Sequence, residues 1–127
     1  MKNLLILLSL VSLTFASCGD DETCDAGTFE SNIIGTWDTP AIGSSVAGTV
    51  TFNADGTGVG TEDGLFYSEL NGEGSGNFDW SYNTADDNMT IDWNFSNGAL
   101  GVDMAVVSFD CDNTTFNFVL DFTIERQ

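Results

Sequence analysis

Histidine is absent from this chain of 127 residues, and only Lys2 and Arg126 are basic, against twenty acids. Without an imidazole the commonest general base is missing, and with it the serine triad and the imidazole-ligated zinc site. Nucleic acid is excluded as a partner, because phosphate contacts need lysine and arginine. Proline occurs once, at Pro40, where it falls in a connection and interrupts no strand ladder. The apolar run over residues 4–13 is too short to cross a bilayer, which takes about 20 residues. Cysteine occurs three times, at Cys18, Cys24 and Cys111. The formal charge of −18 favours solubility, divalent cations or a basic partner protein, and its plainest meaning is a solvated acidic exterior.

What the sequence does have is alternation. Phe78, Trp80 and Tyr82 alternate with Asn77, Asp79 and Ser81; Met89, Ile91, Trp93 and Phe95 alternate with Thr90, Asp92 and Asn94. Phe116, Phe118, Leu120, Phe122 and Ile124 repeat the pattern over a longer stretch. A period of two in aromatic and β-branched residues predicts half-buried strands. Turn residues punctuate them at Asn53-Ala54-Asp55-Gly56, at Asn71-Gly72 and on to Gly76, at Ala85-Asp86-Asp87-Asn88, at Ser96-Asn97-Gly98 and at Asp112-Asn113. Strands are expected near 33–38, 46–53, 57–62, 64–70, 77–82, 89–95, 100–109 and 114–125, and no segment carries a helical period. About eight short strands with tight links predict an all-β fold, an antiparallel up-and-down barrel with a β-sandwich as the alternative.

Residues 1–17 read as an export signal: a charged start, the apolar run, then small residues at Ala16 and Ser17. Ala16-Ser17-Cys18 resembles the lipobox of bacterial lipoproteins, with Phe15 standing where leucine is usual. The resemblance implies cleavage before Cys18, lipidation of its thiol and anchoring in a membrane. The acidic Gly19-Asp20-Asp21-Glu22 that follows is similar to clusters that accompany export to the cell surface in some Gram-negative lipoproteins. The outer membrane or cell surface is then the expected location. Residues 18–30 read as an acidic tether and 31–127 as the barrel domain. With Cys18 acylated, Cys24 and Cys111 are the remaining thiols in an oxidising compartment, where a disulfide is expected and a pair of buried free thiols is the alternative.

Ile33-Ile34-Gly35-Thr36-Trp37 is similar to the G-x-W element that opens the first strand of lipocalins. Thr49 to Gly58, with its Asp55-Gly56 turn, and then Phe78-Asp79-Trp80-Ser81-Tyr82 look like the small lipocalin-like domains of bacterial lipoproteins. The resemblance implies a barrel whose floor is closed by Trp37. Lipocalins often stack a basic residue on that tryptophan, and Arg126 is the one candidate. No C-terminal helix is evident, and the chain leaves fewer residues for the barrel than a typical lipocalin has.

Candidate chemistry is sparse. Paired carboxylates are conceivable, but the acids fall in turns and on polar strand faces. Asn53, Asp55, Gly56 and Glu62 imitate part of an EF-hand loop, yet Thr51 fails the first ligand and the flanks alternate like strands, so a hairpin is expected there. No metal site or cofactor follows, and an enzyme is not expected. Trp80, Tyr82, Trp93 and Phe95 belong on inward faces of neighbouring strands. They either fill the core or line a pocket for a small apolar ligand. Two functions remain open: a surface-anchored barrel holding a small hydrophobic molecule, or an interaction protein, such as an inhibitor or immunity factor, whose acidic surface meets a basic partner.

Overall fold

The computed structural model describes residues 27–127. The expected export signal, Cys18, Cys24 and most of the expected acidic tether lie outside the described residues. The described chain begins with a helical turn, α1 (Phe29–Ile33), which the alternation gives no hint of. Thr28 caps it, accepting a hydrogen bond on its side-chain oxygen from the Ser31 amide at 3.4 Å. Phe29 and Ile33, one turn apart, share a face and are both buried. The expected tether of 18–30 is therefore corrected: Phe29 already belongs to the core, and so does the turn that carries it.

Ten strands follow: β1 (Gly35–Thr39), β2 (Gly48–Phe52), β3 (Thr57–Gly60), β4 (Ser68–Leu70), β5 (Glu73–Ser75), β6 (Asn77–Asn83), β7 (Asn88–Phe95), β8 (Gly98–Phe109), β9 (Asn113–Asn117) and β10 (Asp121–Arg126). Eight close a barrel in the order β1-β10-β9-β8-β7-β6-β3-β2, every pair antiparallel, while β4 and β5 form a hairpin of their own. Each barrel strand neighbours the next in the chain once that hairpin is set aside, and β1 meets β10 with Trp37 opposite Arg126. The fold is the expected all-β, eight-stranded up-and-down barrel. Because β1 pairs on both sides, no edge is left open, which excludes the sandwich.

Alternation decides the inside. Met89, Ile91, Trp93 and Phe95 of β7 are buried, and Trp80 and Tyr82 lie opposite Ile91 and Met89 on β6. The Asp55-Gly56 segment is a hairpin turn, as expected, with the Asp55 carboxylate accepting from the Thr57 amide at 3.0 Å and hydroxyl at 2.7 Å. Those two bonds hold its carboxyl below the usual aspartate range.

Two expected strands differ from those observed. Of 64–70 only Ser68–Leu70 is a strand, and it lies outside the barrel; Phe66 instead packs into the barrel end. The span 114–125 is two strands, β9 and β10, joined by a turn at Phe118-Val119-Leu120. Phe116 and Phe122 face each other inside, as expected. Phe118 and Leu120, expected on the same buried face, are 54% and 48% exposed. Phe118→Ala is thus expected to cost about 1 kcal/mol, half the value of a fully buried large side chain. Urea unfolding checks this: a loss of 3 kcal/mol or more, on the order of a core phenylalanine, would return Phe118 to the interior.

Strand direction fixes the ends of the barrel. The β2–β3, β6–β7 and β8–β9 connections and α1 gather at one end, the floor. The β1–β2, β3–β6, β7–β8 and β9–β10 connections gather at the other, the mouth.

Candidate functional site

The floor is built around Trp37. It is fully buried, and its indole nitrogen donates to the Ile33 carbonyl at 2.7 Å, tying β1 to α1. The Arg126 guanidinium lies over its ring, 4.1 Å from the centroid. Arg126 also donates from Nε to the Cys111 carbonyl at 2.6 Å, from Nη1 to the Ile34 carbonyl at 3.1 Å, and from Nη2 to the Asn32 carbonyl. One side chain thereby gathers α1, β1 and the β8–β9 turn. Gly35 admits it: a Cβ there would come within 2.8 Å of Nη1, and the backbone φ of +131° favours glycine in any case. The Asp110 carboxylate accepts from the amides of Asp112 and Asn113, which holds its carboxyl low and shapes the turn carrying Cys111. Cys111 is not a free thiol, and Cys24, its expected partner, lies outside the described residues.

The interior is occupied by the protein's own rings. Tyr82 packs against Phe29 with tilted rings, centroids 4.6 Å apart, and donates its hydroxyl to Asp87 at 2.7 Å, a bond that raises the phenol above its ordinary range. Trp80 donates to the carbonyls of Asn53 and Thr57, both at 3.1 Å. Trp93 donates to the Phe66 carbonyl at 3.2 Å, and Phe95 is buried. All four residues singled out as ligand contacts point inward from β6 and β7, yet they are strung along the barrel rather than gathered round a void. The polar tip of each of the three that has one is already satisfied within the protein. Phe29 fills the floor against Phe109 and Phe116. Phe66, 2% exposed, fills the mouth against Phe52, Phe78 and Phe122.

The mouth carries the feature that alternation concealed. A cavity of about 200 Å³ is lined by Ile42, Leu65, Phe118, Val119, Leu120 and Phe122, with almost no polar surface. Val119 at its edge is 83% exposed. Ile42 and Leu65 are shared with a wider polar cleft of about 520 Å³ that Asp63, Tyr67 and Glu69 also line. The Tyr67 phenol is pushed up by loss of water and then by the carboxylates of Glu62, Glu69 and Asp63. Two carboxylates, Asp63 and Glu69, line that cleft and no basic residue does. The signal in the sequence was a turn made of Phe-Val-Leu, where turn chemistry would favour glycine, asparagine or aspartate.

Elsewhere several acids bond to neutral donors, as Asp103 does with Thr90 and Asp79 with Asn94. Among the described residues no group of three acids or cysteines is placed to hold a metal ion. Compared with family models, curated proteins and solved structures, the chain matches none.

Proposed function

We propose that this protein is a lipid-anchored, exported binding domain without catalytic activity, which meets a basic partner protein through its acidic surface. The single observation that carries the choice is the filled interior: Phe29 and Phe66 stop the two ends, and the aromatic side chains between them are engaged with one another. A barrel of eight strands is just wide enough for its own side chains, and this one uses that width on itself. What is left for recognition is the outside of a chain that carries twenty acids against two basic residues.

A lipocalin-like ancestry is part of the same proposal. It is supported by Gly35-Thr36-Trp37 at the start of β1 and by Arg126 stacked on Trp37 at the floor. The outer membrane or cell surface, and a lipid on Cys18, are supported by the Ala16-Ser17-Cys18 sequence. In this proposal the lipid lies on the floor side, where α1 joins the barrel, and the mouth faces away from the membrane. A Cys24–Cys111 disulfide would pin the tether beside Arg126, leaving six residue steps to the lipid, at most about 20 Å. Metabolic labelling with a fatty acid is expected to tag the wild type and not Cys18→Ser, and label on both would remove the anchor. Alkylation of Cys24 and Cys111 without reduction would remove the disulfide.

Carriage of a small apolar ligand is the second reading, favoured by the apolar cavity at the mouth. The two separate in one titration. Trp80 and Trp93 emission is followed as a neutral isoprenoid, then a fatty acid of equal size, is added. No saturable response to either is expected. A one-to-one response to the isoprenoid would establish ligand carriage in place of the partner-protein proposal. Tighter binding of the fatty acid would go further. It would require a cation to pair a buried carboxylate, whereas Arg126 is committed at the floor to three carbonyls and a tryptophan.

A further inference from the structure

We infer that the mouth of the barrel is the docking point, seating one apolar side chain of the basic partner in the Phe118–Leu120 cavity while Asp63 and Glu69 take its flanking lysines or arginines. This rests on the basic-partner proposal and gives it an address.

Three observations converge there. Phe118, Val119 and Leu120 are consecutive, exposed and at the tip of a hairpin, so their exposure is not the scattered kind that any surface shows. With Ile42, Leu65 and Phe122 they line an open hollow of about 200 Å³, a volume suited to one aromatic or branched side chain. The cleft that carries the Asp63 and Glu69 carboxylates begins at the same two residues, Ile42 and Leu65. An apolar socket bordered by carboxylates is complementary to an apolar anchor bordered by cations. Other occupants fit less well. A second copy would bring two acidic clefts together on chains that each carry a formal charge of −18. A bilayer with anionic lipids would be repelled by the same charge, and in the proposed anchoring the mouth faces away from the membrane.

The test uses the exported protein held by its own lipid in a supported phosphatidylcholine bilayer, with bare bilayer as reference. Three synthetic peptides are passed over it: a central Trp-Leu flanked by lysine and arginine, the same centre flanked by glutamate, and the basic flanks around Ser-Ser. The basic Trp-Leu peptide is expected to bind, and the other two at least about tenfold more weakly, as for the loss of a buried anchor. Val119→Asp and Leu120→Asp, both at exposed positions, are each expected to weaken the basic Trp-Leu peptide by about tenfold or more. Asp63→Asn with Glu69→Gln is expected to weaken it about threefold to fivefold and to flatten its salt dependence.

Unchanged affinity in Val119→Asp and Leu120→Asp would overturn the inference in favour of diffuse charge attraction. So would equal binding of the Ser-Ser peptide, or no binding of any peptide. Dimers that Val119→Asp abolishes would give the mouth to a second copy, and flotation of lipid-free chain with phosphatidylcholine vesicles would give it to a membrane. Failure here with a silent isoprenoid titration removes only the docking point. A saturable isoprenoid response removes the proposal beneath it.

Discussion

Trp37→Ala is expected to destabilise the barrel by about 3–5 kcal/mol, a large share of the 5–15 kcal/mol that holds an ordinary domain. Three separate losses meet at this position. The first is area, since the indole is fully buried where β1 lies between β2 and β10. The second is a hydrogen bond: the Ile33 carbonyl would lose the donor that now sits 2.7 Å away. Leaving such a group unpaired costs about 1–3 kcal/mol. The third is the cation–ring contact with Arg126, worth about 0.5–2 kcal/mol depending on how dry it is. Trp37→Phe separates them, since it keeps most of the area and a ring for Arg126 but orphans the carbonyl. About 1–3 kcal/mol is expected for it. Urea midpoints at constant slope give both numbers. Equal costs for Ala and Phe would place the whole effect in the hydrogen bond, and negligible cost for Ala would mean that the floor is closed by something else.

The floor was partly legible in the sequence through the resemblance to lipocalins, which implies a floor tryptophan with a basic residue stacked on it. Trp37 stood in a Gly-x-Trp context, and Arg126 was the one cation beyond Lys2. The strands of β6 and β7 were legible because polar residues with high contrast alternate against large rings. The β9–β10 hairpin was not. Its turn residues are apolar, and the pairing of Phe116 with Phe122 across it leaves Phe116, Phe118, Leu120 and Phe122 in one unbroken period of two. A pattern that runs through a turn without a glycine, proline or asparagine reads as one long strand. Helix α1 escaped for the opposite reason: five residues are too few for a period to show, and only Thr28 as a cap marks its start. The mouth cavity escapes with the hairpin, since the alternation puts Phe118 and Leu120 on the buried face. Phe66 was assigned to a strand, although its role is set by a tertiary contact that no local pattern encodes.

Phe66→Ala is expected to cost about 3–5 kcal/mol if the mouth keeps its shape, and less if the connection collapses inward. The position makes collapse hard. The Phe66 ring touches Phe52, Phe78 and Phe122, which belong to three different barrel strands, and its carbonyl holds the Trp93 indole. The connection is also seated on β3 so tightly that a Cβ on Gly60 would approach the Phe66 carbonyl oxygen to 2.7 Å, which leaves little room for the segment to sink. A void the size of a phenyl ring should therefore persist, apolar and dry, as such cavities do. Benzene-sized compounds are then expected to raise the melting temperature of Phe66→Ala and leave that of the wild type unchanged. The rise follows from binding to the folded state alone, about 1 kcal/mol once the compound exceeds its dissociation constant several-fold. A variant that loses less than about 1 kcal/mol, well under the usual range for a core phenylalanine, would mean that Phe66 does not stop the mouth. Stabilisation of the wild type by the same compounds that persists in Val119→Asp, and so does not come from the mouth cavity, would mean that the interior is already accessible. The expected pair of results instead makes one side chain the difference between a filled barrel and a ligand-holding one, with recognition left to the rim above it.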